Sequence, residues 1–66
     1  MEIKYPEITV RLIGLDGNAW AILGRVRKAL YKAGVSEDEL NQFMANATAH
    51  DYNHLLQTVT RWVNVE

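Results

Sequence analysis

Apolar residues recur at every second position near the start of the chain and at helical spacing through the rest, and that switch divides it into elements. From Glu7 to Ile13, Ile8, Val10 and Leu12 alternate with Thr9 and Arg11, the period that lays one face of a strand on a core. Val, Ile and Thr suit such a pleated, half-buried surface. Pro6 suits the strand's beginning, where no ladder donor is required, and Ile3 and Tyr5 extend the alternation upstream.

The period then becomes helical. At about 100° per residue, Ala19, Ile22, Leu23, Val26, Ala29, Leu30 and Ala33 fall on one side of a helix running from Asn18 to Ala33, an ordinary amphipathic core stripe. Leu40, Phe43, Met44 and Ala47 repeat that stripe in a second helix, with Asn41, Gln42 and Asn46 turned to water. A third, from about Asp51 to Val63, sets Tyr52, Leu55, Leu56, Val59, Trp62 and Val63 against Asn53, His54, Gln57 and Arg61. Met44 reads as a filler of the core rather than a ligand.

Punctuation supports these boundaries. Asp16 and Asn18 both offer a capping oxygen to the first helix, and the sequence leaves open which is used. Gly34 is placed to take the left-handed turn that closes it, with Lys28 and Lys32 near the negative end of the dipole. Ser36-Glu37-Asp38-Glu39 is a capping box for the second helix. No glycine or proline separates the second helix from the third, where Thr48 and Asp51 are the candidate caps. The fold class is therefore α+β and predominantly helical: one N-terminal strand, three helices, and Val63 to Glu66 available as a short C-terminal strand.

A strand needs a partner for its backbone groups. Either the C-terminal segment folds back onto it, a route inexpensive in chain entropy, or the same strand of another copy joins it. The two are compatible, because two such pairs can merge into one four-stranded sheet.

The face of the first helix opposite its core stripe carries a different pattern. Trp20, Gly24, Arg27 and Tyr31 form one row, two aromatics flanking a glycine that costs about 1 kcal/mol relative to Ala in a helix interior. Such a row is either covered by the rest of the chain or offered to a partner. Beside it, Arg25, Lys28 and Lys32 make a purely basic row.

Size sharpens the question. The 66 residues make one domain, 1–66, and a domain so small buries only about 60% of the surface its unfolded chain exposes. There is no cysteine, so disulfides and thiolate metal sites are excluded and oligomerisation is the remaining common aid to stability. A hydrophobic content of 48% with 23% charged residues is that of a globular domain rather than a disordered one. No run reaches the length of a membrane span and no apolar signal core opens the chain, so a cytoplasmic protein without membrane contact is expected.

Net charge is −1 but unevenly placed: residues 1–33 carry +3 and residues 34–66 carry −4. A basic half and an acidic half are satisfied within one fold or between two copies, and bulk attraction to nucleic acid is not expected.

Little chemistry is encoded. Gly14-Leu15-Asp16-Gly17 is a G-x-x-G loop at a helix entrance, where backbone N–H groups can bind an anion. It is similar to the loop with which KH domains clamp nucleic acid, but that loop joins two helices and is usually basic. This one follows a strand and contains Asp16, so a structural turn is the favoured reading. His50 and His54 stand at metal-ligand spacing beside Asp51, yet no third ligand is evident and Asp51 is accounted for as a cap. No zinc-protease helix, P-loop or nucleophile elbow is present, and Ser36, the only serine, is already a cap. No enzyme and no cofactor are expected.

The run DGNAWAILGRVRKAL, with the ending HLLQTVTRWVNVE, resembles a family of short proteins from phages and prophage-bearing bacteria. Those share a strand, a D-G-N-A-aromatic-x-I-x-G helix start, a basic first helix and a W/Y-V-x-V tail. The resemblance spans nearly the whole chain, and on its pattern Asp16, Gly17, Asn18, Ala19, Trp20 and Gly24 are the signature positions. The resemblance implies a compact stand-alone domain of mobile-element origin, with no activity attached.

The expected function is a non-catalytic protein-interaction module that forms a homo-oligomer and binds a protein partner, using the strand edge or Trp20, Gly24, Arg27 and Tyr31. The alternative is a small nucleic-acid-binding protein using Arg11, Arg25, Lys28 and Lys32.

Overall fold

In the computed structural model, which describes residues 2–12, 14 and 17–66, the chain is an α+β domain. Strand β1 (Tyr5–Val10) leads through helices α1 (Ala19–Lys32), α2 (Glu37–Ala47) and α3 (Tyr52–Trp62) to strand β2 (Val63–Val65). The two strands pair in parallel as a two-stranded sheet.

β1 begins two residues before the expected Glu7 and ends at Val10 rather than Ile13, and Ile13 itself lies outside the described residues. The cause is the partner. β2 is three residues long, so a ladder cannot run further, although Leu12 N–H still donates to Glu66 O at 2.9 Å and Glu66 N–H to Val10 O at 2.9 Å. The register pairs Tyr5 with Val63, then jumps so that Thr9 meets Asn64 and Val10 meets Val65. Pro6, which has no N–H to give a ladder, stands at this irregularity, and the Asn64 side-chain amide donates to its carbonyl. The pairing is intramolecular, as one of the two expected routes has it, but it is not local: 58 positions separate Pro6 from Asn64. Loop entropy grows only as the logarithm of length, so that separation is tolerable.

The helices start where their caps place them. Asn18 Oδ1 accepts from Ala21 N–H at 3.1 Å, Ser36 Oγ from Glu39 N–H at 3.3 Å, and Asp51 Oδ1 from His54 N–H at 3.0 Å. Asn18 is thus a cap of α1; the other candidate, Asp16, lies outside the described residues. α1 stops at Ala33, after which Gly34 takes φ +92°, a conformation that penalises any side chain. The capping box of α2 closes on one side only, because the Glu39 carboxylate reaches Lys4 Nζ at 3.2 Å.

All three helices and both strands contribute to one core. Ile8 and Val10 of β1, Ile22, Leu23, Val26 and Leu30 of α1, Leu40, Phe43 and Ala47 of α2, Leu55, Val59 and Trp62 of α3, and Val63 of β2 are buried. Trp62 meets Phe43 edge-on at 5.4 Å between ring centroids, with Tyr5 at 6.0 Å and Lys4 Nζ 4.4 Å from its ring. Two expectations are corrected here. Ala33, assigned to the core stripe, is exposed because it is the C-cap at which the helix ends. Thr58, assigned to no face, is buried; its hydroxyl donates to His54 O at 2.9 Å, so burial leaves no orphaned polar atom.

Candidate interaction surface

The core stripe turns α1 so that its other side faces solvent. Among the described residues the exposed large hydrophobics are Trp20, Tyr31 and Val65, and two of the three stand on one row of this helix. Trp20 is 76% exposed and Tyr31 66%. Gly24 and Arg27, between them, are exposed as well. Of the two readings of the row, cover by the chain's own elements is therefore not what is found.

Gly24 is the least expected member. A Cβ built there would meet nothing within 4 Å, and its φ is not positive, so neither space nor backbone conformation within the chain requires a glycine. Arg27 Nη2 lies 3.9 Å from Glu37 Oε1, an exposed pair of the sort worth about 0–1 kcal/mol that still keeps the arginine head beside an acid.

Beside Trp20 the surface dips. An open depression of about 420 Å³ is floored by Leu23, Ala47 and Leu55 and edged by Trp20, His50 and Tyr52. Nothing in the sequence pointed to it, since it forms where the start of α1 meets the junction of α2 with α3, two segments far apart in the chain. Tyr52 closes one side, and its hydroxyl accepts from Gly17 N–H at 3.0 Å. The same bond occupies one of the backbone donors that an anion at the G-x-x-G loop would need, while Leu15 and Asp16 of that loop lie outside the described residues.

The basic residues are exposed too, and two of them meet. Arg25 Nη1 donates to Arg11 O at 3.1 Å, which brings Arg11 to the flank of α1 where Lys28 and Lys32 also stand. Because Val10 O and Leu12 N–H point at β2, the backbone of Arg11 faces the opposite, open edge of β1. The Arg25 side chain therefore occupies an acceptor that a further strand would use, which weakens the edge as a template for pairing.

His50 and His54 come together, ring centroids 4.6 Å apart and edge to face. His54 is not turned fully to water as its place on the polar side suggested: it is half-buried, with Nε2 2.9 Å from Asn46 O. That contact joins the end of α2 to the start of α3 and accounts for the residue structurally. Among the described residues no group of three or more His, Cys, Asp or Glu side chains is arranged to hold a metal, and no helix is long and apolar enough to cross a membrane.

The fold and the exposed row define a small α+β domain whose most unusual surface is one face of its first helix. No family model, no curated protein and no solved structure matches the chain.

Proposed function

We propose that the chain is a non-catalytic protein-interaction module that works through the Trp20, Gly24, Arg27 and Tyr31 row of α1. The observation that carries this reading is the pair of large aromatics left on one helix row, where among the described residues Val65 is the one other exposed large hydrophobic. Trp and Tyr are the residue types that dominate protein contacts, because each presents a large rigid surface with a polar handle. A protein of phage or mobile-element type acting in the cytoplasm on a host factor is the setting that the D-G-N-A-aromatic resemblance favours. The test is whether Trp20→Ala and Tyr31→Ala abolish association while far-UV circular dichroism and the unfolding midpoint stay close to wild type. Loss of the fold in either variant would make the row part of the core and reject the reading.

A second reading is supported by the meeting of Arg11 with Arg25 beside Lys28 and Lys32: a basic flank that tracks nucleic-acid phosphates. It predicts affinity that falls steeply with salt, weakened evenly across sequences by Lys28→Glu or Lys32→Glu. Binding to duplex or single strands that is absent at 50 mM salt would reject it.

A further inference from the structure

Taking the α1 row as a contact face, as proposed above, we infer that its partner is a second copy of this chain, packed through α1 against α1 in antiparallel fashion. In that arrangement Trp20 of each copy lies against Tyr31 of the other, and Gly24 of each lies against Arg27 of the other.

Three observations point to this occupant. First, the row reads the same in both directions. Its members are spaced four, three and four residues apart, so a two-fold axis midway along it exchanges position 20 with 31 and 24 with 27. Self-complementarity of this kind is what an isologous interface demands, and an unrelated partner makes no such demand.

Second, the exchanged pairs fit chemically. Aromatic meets aromatic at the two ends, a favourable contact beyond the area it buries. At the middle, the solvent-facing Gly24, which nothing within the chain requires, leaves room for the Arg27 stem of the other copy. The arginine head keeps Glu37 of its own chain at 3.9 Å, so covering the stem does not strand a charge.

Third, the area is sufficient. Aromatic side chains bury about 150–250 Å² each, so four that start about two-thirds to three-quarters exposed supply roughly 400–700 Å² of the ~1,000 Å² a specific interface needs. The intervening row and the depression beside Trp20 are available for the remainder. This places the pair at the weaker end of specific dimers.

The arrangement also has an electrostatic signature. Arg25, Lys28 and Lys32 lie about 100° round the helix from the row, and the two-fold brings both basic flanks to the same side of the pair. Their repulsion is screened by salt, so association tightens as salt rises.

The experiment combines molar mass by light scattering, from micromolar to millimolar chain, with two kinds of variant. The wild type is expected to pass from one chain to two, more readily at 300 mM than at 50 mM salt. Gly24→Gln, which introduces a good helix former into open space, should raise the unfolding midpoint of the dilute monomer by ~4 °C and weaken dimerisation at least tenfold. Trp20→Cys and Tyr31→Cys, in a chain with no cysteine of its own, face each other across the two-fold and should form a disulfide when mixed and oxidised, the second Trp20–Tyr31 contact of the mixed pair being intact. Neither should do so alone, since the antiparallel pair holds like positions roughly 16 Å apart along the helix.

A chain that stays monomeric at millimolar concentration, or one whose dimer is indifferent to Gly24→Gln, would overturn the inference. Disulfides between like positions in place of the mixed one would do the same. Each of these leaves the row free to serve a different protein, whereas unfolding of Trp20→Ala or Tyr31→Ala would remove the contact-face reading itself.

Discussion

Three residues set where the helices begin, and each does so through one hydrogen bond. Asn18, Ser36 and Asp51 accept from the N–H three positions on, removing an orphan donor from an end that would otherwise rely on water. Replacing any of them by Ala is expected to lower stability by about 0.5–2 kcal/mol, and by Gly only a few tenths, as read from urea unfolding at constant m. Ser36 is legible in the sequence because its box is contiguous. What the sequence does not convey is that Glu39 turns to Lys4 rather than back to Ser36, since the competing cation lies 35 positions away. His54 was equally hidden: its residue type suggested solvent, and the Asn46 carbonyl that holds its ring belongs to another helix.

At the scale of elements, the helices follow from periodicity and caps to within a residue, because every determinant of a helix lies within a turn of it. The strand does not share that property. Alternation from Ile8 to Leu12 predicted its apolar face, and Ile8 and Val10 are indeed buried, but its length is set by β2, at the far end of the chain. Ending the chain at Trp62 should therefore leave β1 without its ladder, remove buried Val63, and abolish cooperative thermal unfolding. A truncated chain that still unfolds cooperatively near the wild-type midpoint would show that the sheet is incidental to the fold. Phe43→Ala, at the contact with Trp62, should cost about 3–5 kcal/mol. That is comparable to the whole stability that a core of this size supplies, so the variant is expected to be largely unfolded at 25 °C.

For the whole molecule the distinctive feature is the contrast between the two sides of α1. One side holds four fully or nearly buried aliphatic residues; the other keeps Trp20 and Tyr31 in solvent. The row itself was legible as a pattern, but whether the chain covers it was not. Its exposure depends on where α2 and α3 pack, a matter of tertiary arrangement that spacing alone leaves undetermined. Trp62, the other tryptophan, has the opposite fate, enclosed by Phe43, Tyr5 and Lys4. The two indoles thus report separately on the surface and on the core.

The most direct measurement uses that difference: the two indole N–H resonances, assigned with Trp20→Phe, followed by NMR through a concentration series. If the α1 row is the contact face, the Trp20 signal shifts or broadens as the chain is concentrated or a protein partner is added, and Trp62 stays fixed. A Trp20 signal that never moves while amides along the open edge of β1 do would contradict the account and transfer the interaction to the sheet.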